Sequence, residues 1–328
     1  MHAGRHYSLR ELIVWTRRET FVFLLLATIP TLLHIYLGWA SLIIPWLPIA
    51  LVGTAVAFIT GFKNSASYSR LWEARQIWGA IVNDSRTWGL MVSNFVAPGS
   101  GAQRRLIYRH LAWLTALRYQ LREPRSWENT TRRHNVEYRK FYRIVEWEGD
   151  LRAELEALLD PAEIEFLLKN KNTATQLIAM QSKEIRELTV ERSLGEAPRL
   201  EMQHTLSLLL DSQGNCERIK NFPYPRQFAT LNLLFVWLFI LMVPYGLLQE
   251  FEKIGAAFTW MTIPAAVVVC WVFHTMDKIG DASENPFSGS PNDVPITSLS
   301  RVIEIDLREM LGEREIPAPI QPVNNILM

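Results

Sequence analysis

Residues 20–62 are 43 consecutive positions without Asp, Glu, Lys or Arg. A hydrocarbon layer about 30 Å thick takes roughly 20 helical residues to cross, so this run is too long for one crossing and fits two. The break falls around Tyr36 and Pro45, where Gly38, Ser41 and Pro45 interrupt the chain. Tyr36, Trp39 and Trp46 supply the amphipathic rings that suit a membrane interface. A second pair of uncharged stretches, 227–249 and 254–276, is split by Glu250, Phe251, Glu252 and Lys253, and each is 23 residues long. Four crossings result, and soluble cores seldom hold three uncharged runs of this length.

Charge sets the direction. Arg10, Arg17 and Arg18 precede the first crossing, Lys63, Arg70 and Arg75 follow the second, Lys220 and Arg226 precede the third, and Lys278 follows the fourth. The two hairpin turns hold only Lys253 between them. The positive-inside bias therefore predicts a multi-pass protein of the plasma (inner) membrane with both termini cytoplasmic. The expected organisation is an N-terminal cytoplasmic segment at 1–19, a first transmembrane hairpin at 20–62 and a cytoplasmic domain at 63–226. A second hairpin at 227–276 and a cytoplasmic arm at 277–328 complete it. Arg17 and Arg18 before an apolar run imitate a signal peptide, but no Ala-x-Ala site follows, so the segment is expected to be retained.

Lys and Arg number 34 against 33 Asp and Glu, which gives no footing for a nucleic-acid partner. Cys216 and Cys270 stand alone in unlike surroundings, which disfavours a disulfide framework or a thiolate zinc site. Phosphate-binding glycine loops, metalloprotease motifs and nucleophile elbows are absent, and the seven His are scattered. The acid pairs Glu154/Glu156 and Glu163/Glu165 sit two apart, so a helix points each pair about 200° apart rather than at one substrate. The expectation is a protein without catalysis, cofactor or metal.

The charged region reads as all-helical. Leu71, Ala74, Trp78, Ile81, Val82, Ser85, Trp88 and Val92 recur at three- and four-residue intervals, and the Pro and Gly residues of 97–101 end that helix. Further helices are predicted over 103–121, 150–159, 161–168, 173–188 and 198–220, with linkers at 122–131 and 193–198. No stretch alternates with period two. Near the end, Leu299, Val302, Ile303, Leu307, Met310 and Leu311 form one helical face, followed by a loose tail.

The second crossing carries two stripes. Gly53, Ala57 and Gly61 are small and four apart, which invites close approach of another helix. Thr54, Phe58 and Phe62 share that spacing, turned by about 100°. With the small stripe packed, the aromatic stripe faces lipid, a neighbour or a symmetry axis.

"GFKNSASYSRLWEAR" (61–75), "IWGAIVNDSRTW" (77–88), "CERIKNFPYP" (216–225) and "ENPF" (284–287) together resemble the bestrophin family, its bacterial members most closely. The resemblance covers nearly the whole chain, in order. It implies an all-α membrane protein of four transmembrane helices and a large helical cytoplasmic region, assembled as a homopentamer that conducts small monovalent ions passively, chloride or a cation such as Na+. Its second helix would line a narrow neck, here Thr54, Phe58 and Phe62, with Thr54 a departure from the usual apolar residue. A second, cytoplasmic constriction points to Leu200. Gly61, Asn64, Arg70, Trp72, Glu73, Asn285, Pro286 and Phe287 are the signature residues. Gly61 is expected to allow tight packing, Lys63 onward to meet water, and Arg70 to pair with Glu73 or with a neighbour. Tyr68, Trp72 and Trp78 are expected to pack subunits together, and the Asn285-Pro286-Phe287 arm to wrap an adjacent copy. Only Asp293 follows that arm where calcium-gated animal members have an acidic cluster, so calcium gating is not expected. Glu250 and Glu252 against Lys253 lean the outer mouth toward cations, whereas the positive edges of Phe rings lean toward anions. The implied partners are further copies of the chain, the bilayer and the permeant ions. A membrane-anchored scaffold without conduction is the alternative.

Overall fold

The computed structural model describes residues 1–99 and 101–328 and, for these, is built of α-helices joined by short turns, with isolated β-bridges in place of a sheet. The chain divides into two compact units. One comprises Gly4–Ser69 and Pro223–Glu284, the other Met1–Ala3, Arg70–Phe222 and Asn285–Met328.

The first unit holds helix α1 (Leu9–Leu37), the opening part of α2 (Trp46–Phe95), α10 (Arg226–Ile254) and α11 (Thr262–Ser283); the remaining α-helices belong to the second unit. All four of its helical segments are long and apolar enough to cross a membrane. Ser8 and Glu11 start α1 with a reciprocal capping box, each side chain taking the other's backbone N–H. Gly38 stops it at φ 64°, a left-handed conformation that a residue with a Cβ adopts only at a cost. The bundle core is Phe23, Ala27, Ile49, Val56, Phe239, Ile240, Val243, Ala266 and Cys270. Gly53 belongs to it, since a Cβ there would come within 2.6 Å of the Phe239 ring. Phe21, Leu24, Leu25, Leu51, Leu234 and Val268 point outward and exposed. Water would penalise that surface at about 25 cal/mol per Å², whereas lipid does not.

In the second unit α3 (Ala102–Arg122) is the central rod, packed by α8 (Thr173–Val190), α9 (Glu196–Asn221) and α12 (Ile296–Met310). The face foreseen on the later part of α2 is the buried one: Leu71, Ala74, Trp78, Ile81, Ser85, Trp88 and Val92 are all enclosed. His110 lies in this core with Nε2 2.9 Å from the Ser85 hydroxyl and its ring stacked on Trp88. Burial pushes its imidazole down to about 3, so it packs as a neutral ring. Asn172 caps α8 through the N–H of Thr175, and Pro161 opens α7 (Pro161–Leu168) at the position that needs no N–H.

Four sequence expectations are corrected here. Trp78 is fully buried in its own unit and is no subunit contact. The 122–131 stretch is not a free linker, because Glu128 is buried and grips Lys220 of α9 at 2.5 Å. The C-terminal tail is not loose: the Ser298 N–H donates to the Met328 carbonyl, the Leu327 N–H to that of Met1, and Ile326 is buried. Two short helices, α4 (Arg133–Tyr138) and α5 (Val145–Glu148), went unforeseen, and the helix expected over 150–159 shrinks to α6 (Leu151–Glu156).

Candidate pore-lining helix

The face of α2 that packs inside the first unit runs through Ile49, Gly53, Val56, Thr60, Lys63 and Ser67, at alternating four- and three-residue intervals. The small-residue stripe is therefore not the packing stripe. Gly53 is buried, but Ala57 is exposed and a Cβ on Gly61 would meet nothing within 4 Å, because the helix turns both away from its neighbours.

Thr54, Phe58 and Phe62 are brought together on the exposed side. Phe58 and Phe62 are 67% and 60% exposed, with ring centroids 4.6 Å apart and planes at 87°. That edge-to-face geometry matches the positive rim of one ring with the negative face of the other. The Thr54 hydroxyl donates to the Ala50 carbonyl at 2.9 Å, so its donor is spent within the helix. The stripe thus offers no charge and no free hydroxyl proton. The Phe58 and Phe62 part of the stripe has no oxygen with which to replace the hydration shell of an ion.

One residue beyond Phe62 the expectation of water fails. Lys63 is 2% exposed, and its ammonium lies 2.6 Å from Asp277 and also against Asp281, both on α11. The reason is proximity in space: the end of α11 brings two carboxylates one helical turn apart beside it. Asn232 of α10 donates to the same Asp277 oxygen at 2.5 Å, and Thr60 donates to Asn232 at 3.0 Å. Asn64 donates to the Met276 carbonyl at 3.1 Å, and Gly280 is what leaves room for its side chain. Lys278, the next residue after Asp277, turns to α1, where it meets the Trp15 carbonyl at 2.6 Å, Glu19 at 2.9 Å and the Trp15 ring at 4.7 Å. Sequence reasoning missed this cluster by treating Lys63 and Lys278 as solvated flanks. The available signal was a cation directly after one apolar run and carboxylates four apart directly after another.

At the other end Glu250 pairs with Lys253 at 2.8 Å and Glu252 lies 3.5 Å from His34. Lys253 thus balances one of the two carboxylates of this turn, and Glu252 is left with an imidazole as its neighbour.

The signature residues of the second unit divide. Arg70 donates to the Ile219 and Phe222 carbonyls at 2.9 and 2.7 Å, closing the C-terminus of α9, and Glu73 takes Arg218 of that helix at 2.5 Å. Each side chain thus engages α9 rather than forming a single pair between the two. Trp72, and Tyr68 at the end of the first unit, are exposed, as a contact between copies requires. Leu200, the fifth residue of α9, is 55% exposed. Asn285, Pro286 and Phe287 are buried within their own protomer, where Arg122 donates to the Phe287 carbonyl at 3.0 Å, so these three do not reach for another copy. Asp293 closes the following loop, accepting the N–H groups of Gly289 and Ser290 at 2.7 and 2.9 Å. Burial pushes its carboxyl up to about 6 against the opposing pull of Arg122. Among the described residues no three His, Cys, Asp or Glu side chains gather as a metal site would need.

The family described as Bacterial/Fungal Bestrophin protein matches residues 11–309. The voltage-dependent anion channel-forming protein YneE of Escherichia coli is 28% identical over 275 residues, covering 84% of this chain and 80% of its own. A voltage-dependent anion channel-forming protein of Ralstonia nicotianae is 27% identical over 268 residues, 81% of this chain and 77% of its own. In fold, the chain is similar to the crystal structure of a bacterial bestrophin homologue from Klebsiella pneumoniae, with a TM-score of 0.78 at 24% identity over 91% of this chain and 99% of that one.

Proposed function

Because the chain belongs to the bacterial and fungal bestrophin family, we propose that it is a subunit of a homopentameric channel through which small monovalent ions pass passively. In this reading Thr54, Phe58 and Phe62 of each copy face the shared axis and form the neck. The observation that carries it is the edge-to-face pair of outward Phe rings on a helix whose opposite face is packed. Lipid alone does not require two large rings in edge-to-face register beside open Ala57 and Gly61, whereas converging copies need small residues beside the rings to come close.

The neck works by exclusion. Rings around a narrow axis offer no oxygen to a dehydrating cation and only weakly positive edges to an anion, so water in the constriction is unstable and conduction waits on widening. Lys253 matches Glu250, so each outer turn keeps one excess carboxylate, Glu252, beside His34. With two relatives named as anion channel-forming proteins, the permeant class is taken as anions. A cytoplasmic side of the plasma membrane for both termini and residues 63–226 is supported by Arg10, Arg17, Arg18, Arg75 and Arg226, which keep the positive bias although Lys63 and Lys278 are buried. Leu200 is assigned to a second constriction. Transport through such a neck needs no catalytic group.

The test is electrical. Purified protein in planar bilayers passes current, Phe58→Ala and Phe62→Ala enlarge the unitary conductance, and the reversal potential in asymmetric NaCl follows chloride. Mass measurement in detergent gives five subunits. Liposomes that stay impermeable under all ionic conditions would overturn conduction and leave a membrane scaffold.

A further inference from the structure

In the first unit one cation is buried against the helix that carries the Phe rings, and its partners come from two other helices. The Lys63 ammonium sits between Asp277 and Asp281, with a longer approach of 3.5 Å to the Asp277 carbonyl. Asn232 on α10 links Asp277 back to Thr60, so α2 is held at two positions, three residues apart, by one continuous polar lattice. Apart from the Asn64 bond to the Met276 carbonyl and the Trp46 N–H bond to Gln249 at the far end, neither of which carries a charge, the contacts of α2 here are with the apolar bundle core. In lipid, apolar contacts distinguish poorly between a helix and the same helix rolled by some tens of degrees, because acyl chains and Leu side chains are equivalent solvents. A charge-assisted bond is directional, and an ammonium withdrawn from two carboxylates in a dry site has nowhere else to go. Two carboxylates one turn apart also resist sliding along the axis.

The geometry relates this anchor to the rings. Successive helical residues are turned by about 100°, so Phe62 and Lys63 point away from each other, and Phe58 lies about 140° from Lys63. Fixing Lys63 fixes where the rings aim.

We infer that Lys63 is a positioning residue that sets the roll of α2, and thereby the direction of the Phe58 and Phe62 rings, through its joint grip on Asp277 and Asp281. The conductance part of this inference rests on the pore reading above; the ring-orientation part does not.

Two readouts on the assembled, full-length protein test it. A fluorinated phenylalanine at position 62 reports the ring's surroundings by 19F NMR, and unitary conductance reports the neck. The unsubstituted protein gives one narrow resonance. Lys63→Met broadens or splits it and changes conductance by about two-fold or more. Asp281→Asn, which keeps a one-to-one pair with Asp277 and so folds, moves both readouts in the same direction by less. Lys278→Met removes an equally buried cation from the same end of α11 but one that grips α1, and it lowers thermal stability while leaving the resonance in place. An unchanged resonance in both Lys63→Met and Asp281→Asn overturns the inference, as does an equal response to Lys278→Met. A resonance that responds to Lys63→Met in an electrically silent protein upholds the anchor and removes the pore reading instead.

Discussion

Helix α2 uses its large rings in opposite ways along its length. In the part that belongs to the first unit, Phe58 and Phe62 are left outward and the packing face is made of Ile49, Gly53, Val56, Thr60 and Lys63. In the part that belongs to the second unit, Trp78 and Trp88 are fully enclosed and most outward residues are small, polar or charged, such as Arg75 and Gln76, with Trp72, Leu90 and Phe95 as the large exceptions. The difference follows from solvent. In water, burying an indole is the largest stabilisation a helix face can offer, so the rings turn in. Within lipid that incentive vanishes, and the packed face is chosen by close fit and by polar pairs, which frees the rings for another use.

Substitutions can break or sharpen this contrast. Trp88→Ala should cost about 3–5 kcal/mol, measured as loss of thermal stability in detergent, because a cavity opens beside His110. Phe62→Ala should change stability by no more than about 0.5 kcal/mol in the isolated subunit, since little packs on the ring there. If the two substitutions cost the same, the rings of the first unit are core and the contrast falls.

An effect of intermediate size belongs to Asp293. Its carboxyl titrates near 6 in the folded chain against a reference of 3.8, so the folded state holds the proton more tightly. The stability it contributes is fully present below the reference value and is lost as pH rises toward 6, by on the order of 3 kcal/mol. Glu146 and Glu184 behave in the opposite sense. Burial opposes their ionisation, but Arg118 and Arg122 beside Glu146, and Arg105 and Arg109 beside Glu184, outweigh it and hold both carboxyls low. Their contribution is present at neutral pH and lost on acidification. Comparing the pH dependence of melting between the native chain and Asp293→Asn isolates the Asp293 slope, because Asn keeps an oxygen for the Gly289 and Ser290 amides. A slope unchanged by the substitution would remove Asp293 from the account. The smallest effect is expected at the outer turn, where Glu252→Gln should move the reversal potential by only a few millivolts, given the His34 partner. A large move would make that carboxylate part of the ion path.

What could be read without coordinates follows the same division. The four apolar segments and the buried face from Leu71 to Val92 were legible, because each is a periodic or continuous pattern that depends on one solvent boundary. Helices α4 and α5 were not, since elements of 6 and 4 residues are too short to show a period. Choosing Gly53, Ala57 and Gly61 as the packed stripe failed after Gly53, because spacing defines a face but not its direction. The Lys63 cluster was hidden for a different reason. Its partners lie more than 200 positions away, and a cation at the end of an apolar run looks the same whether it snorkels to water or turns inward. The Phe stripe stood out in the sequence by spacing, and its outward aim emerged only with the fold.

Asp277 and Lys278 are consecutive on α11, yet one holds α2 and the other holds α1. Removing or inserting a single residue upstream in α11 would swing both attachments round by about 100° and release two neighbours together. This stretch can therefore change length only in near-whole turns, and drift in its spacing is forbidden more strictly than drift in its composition.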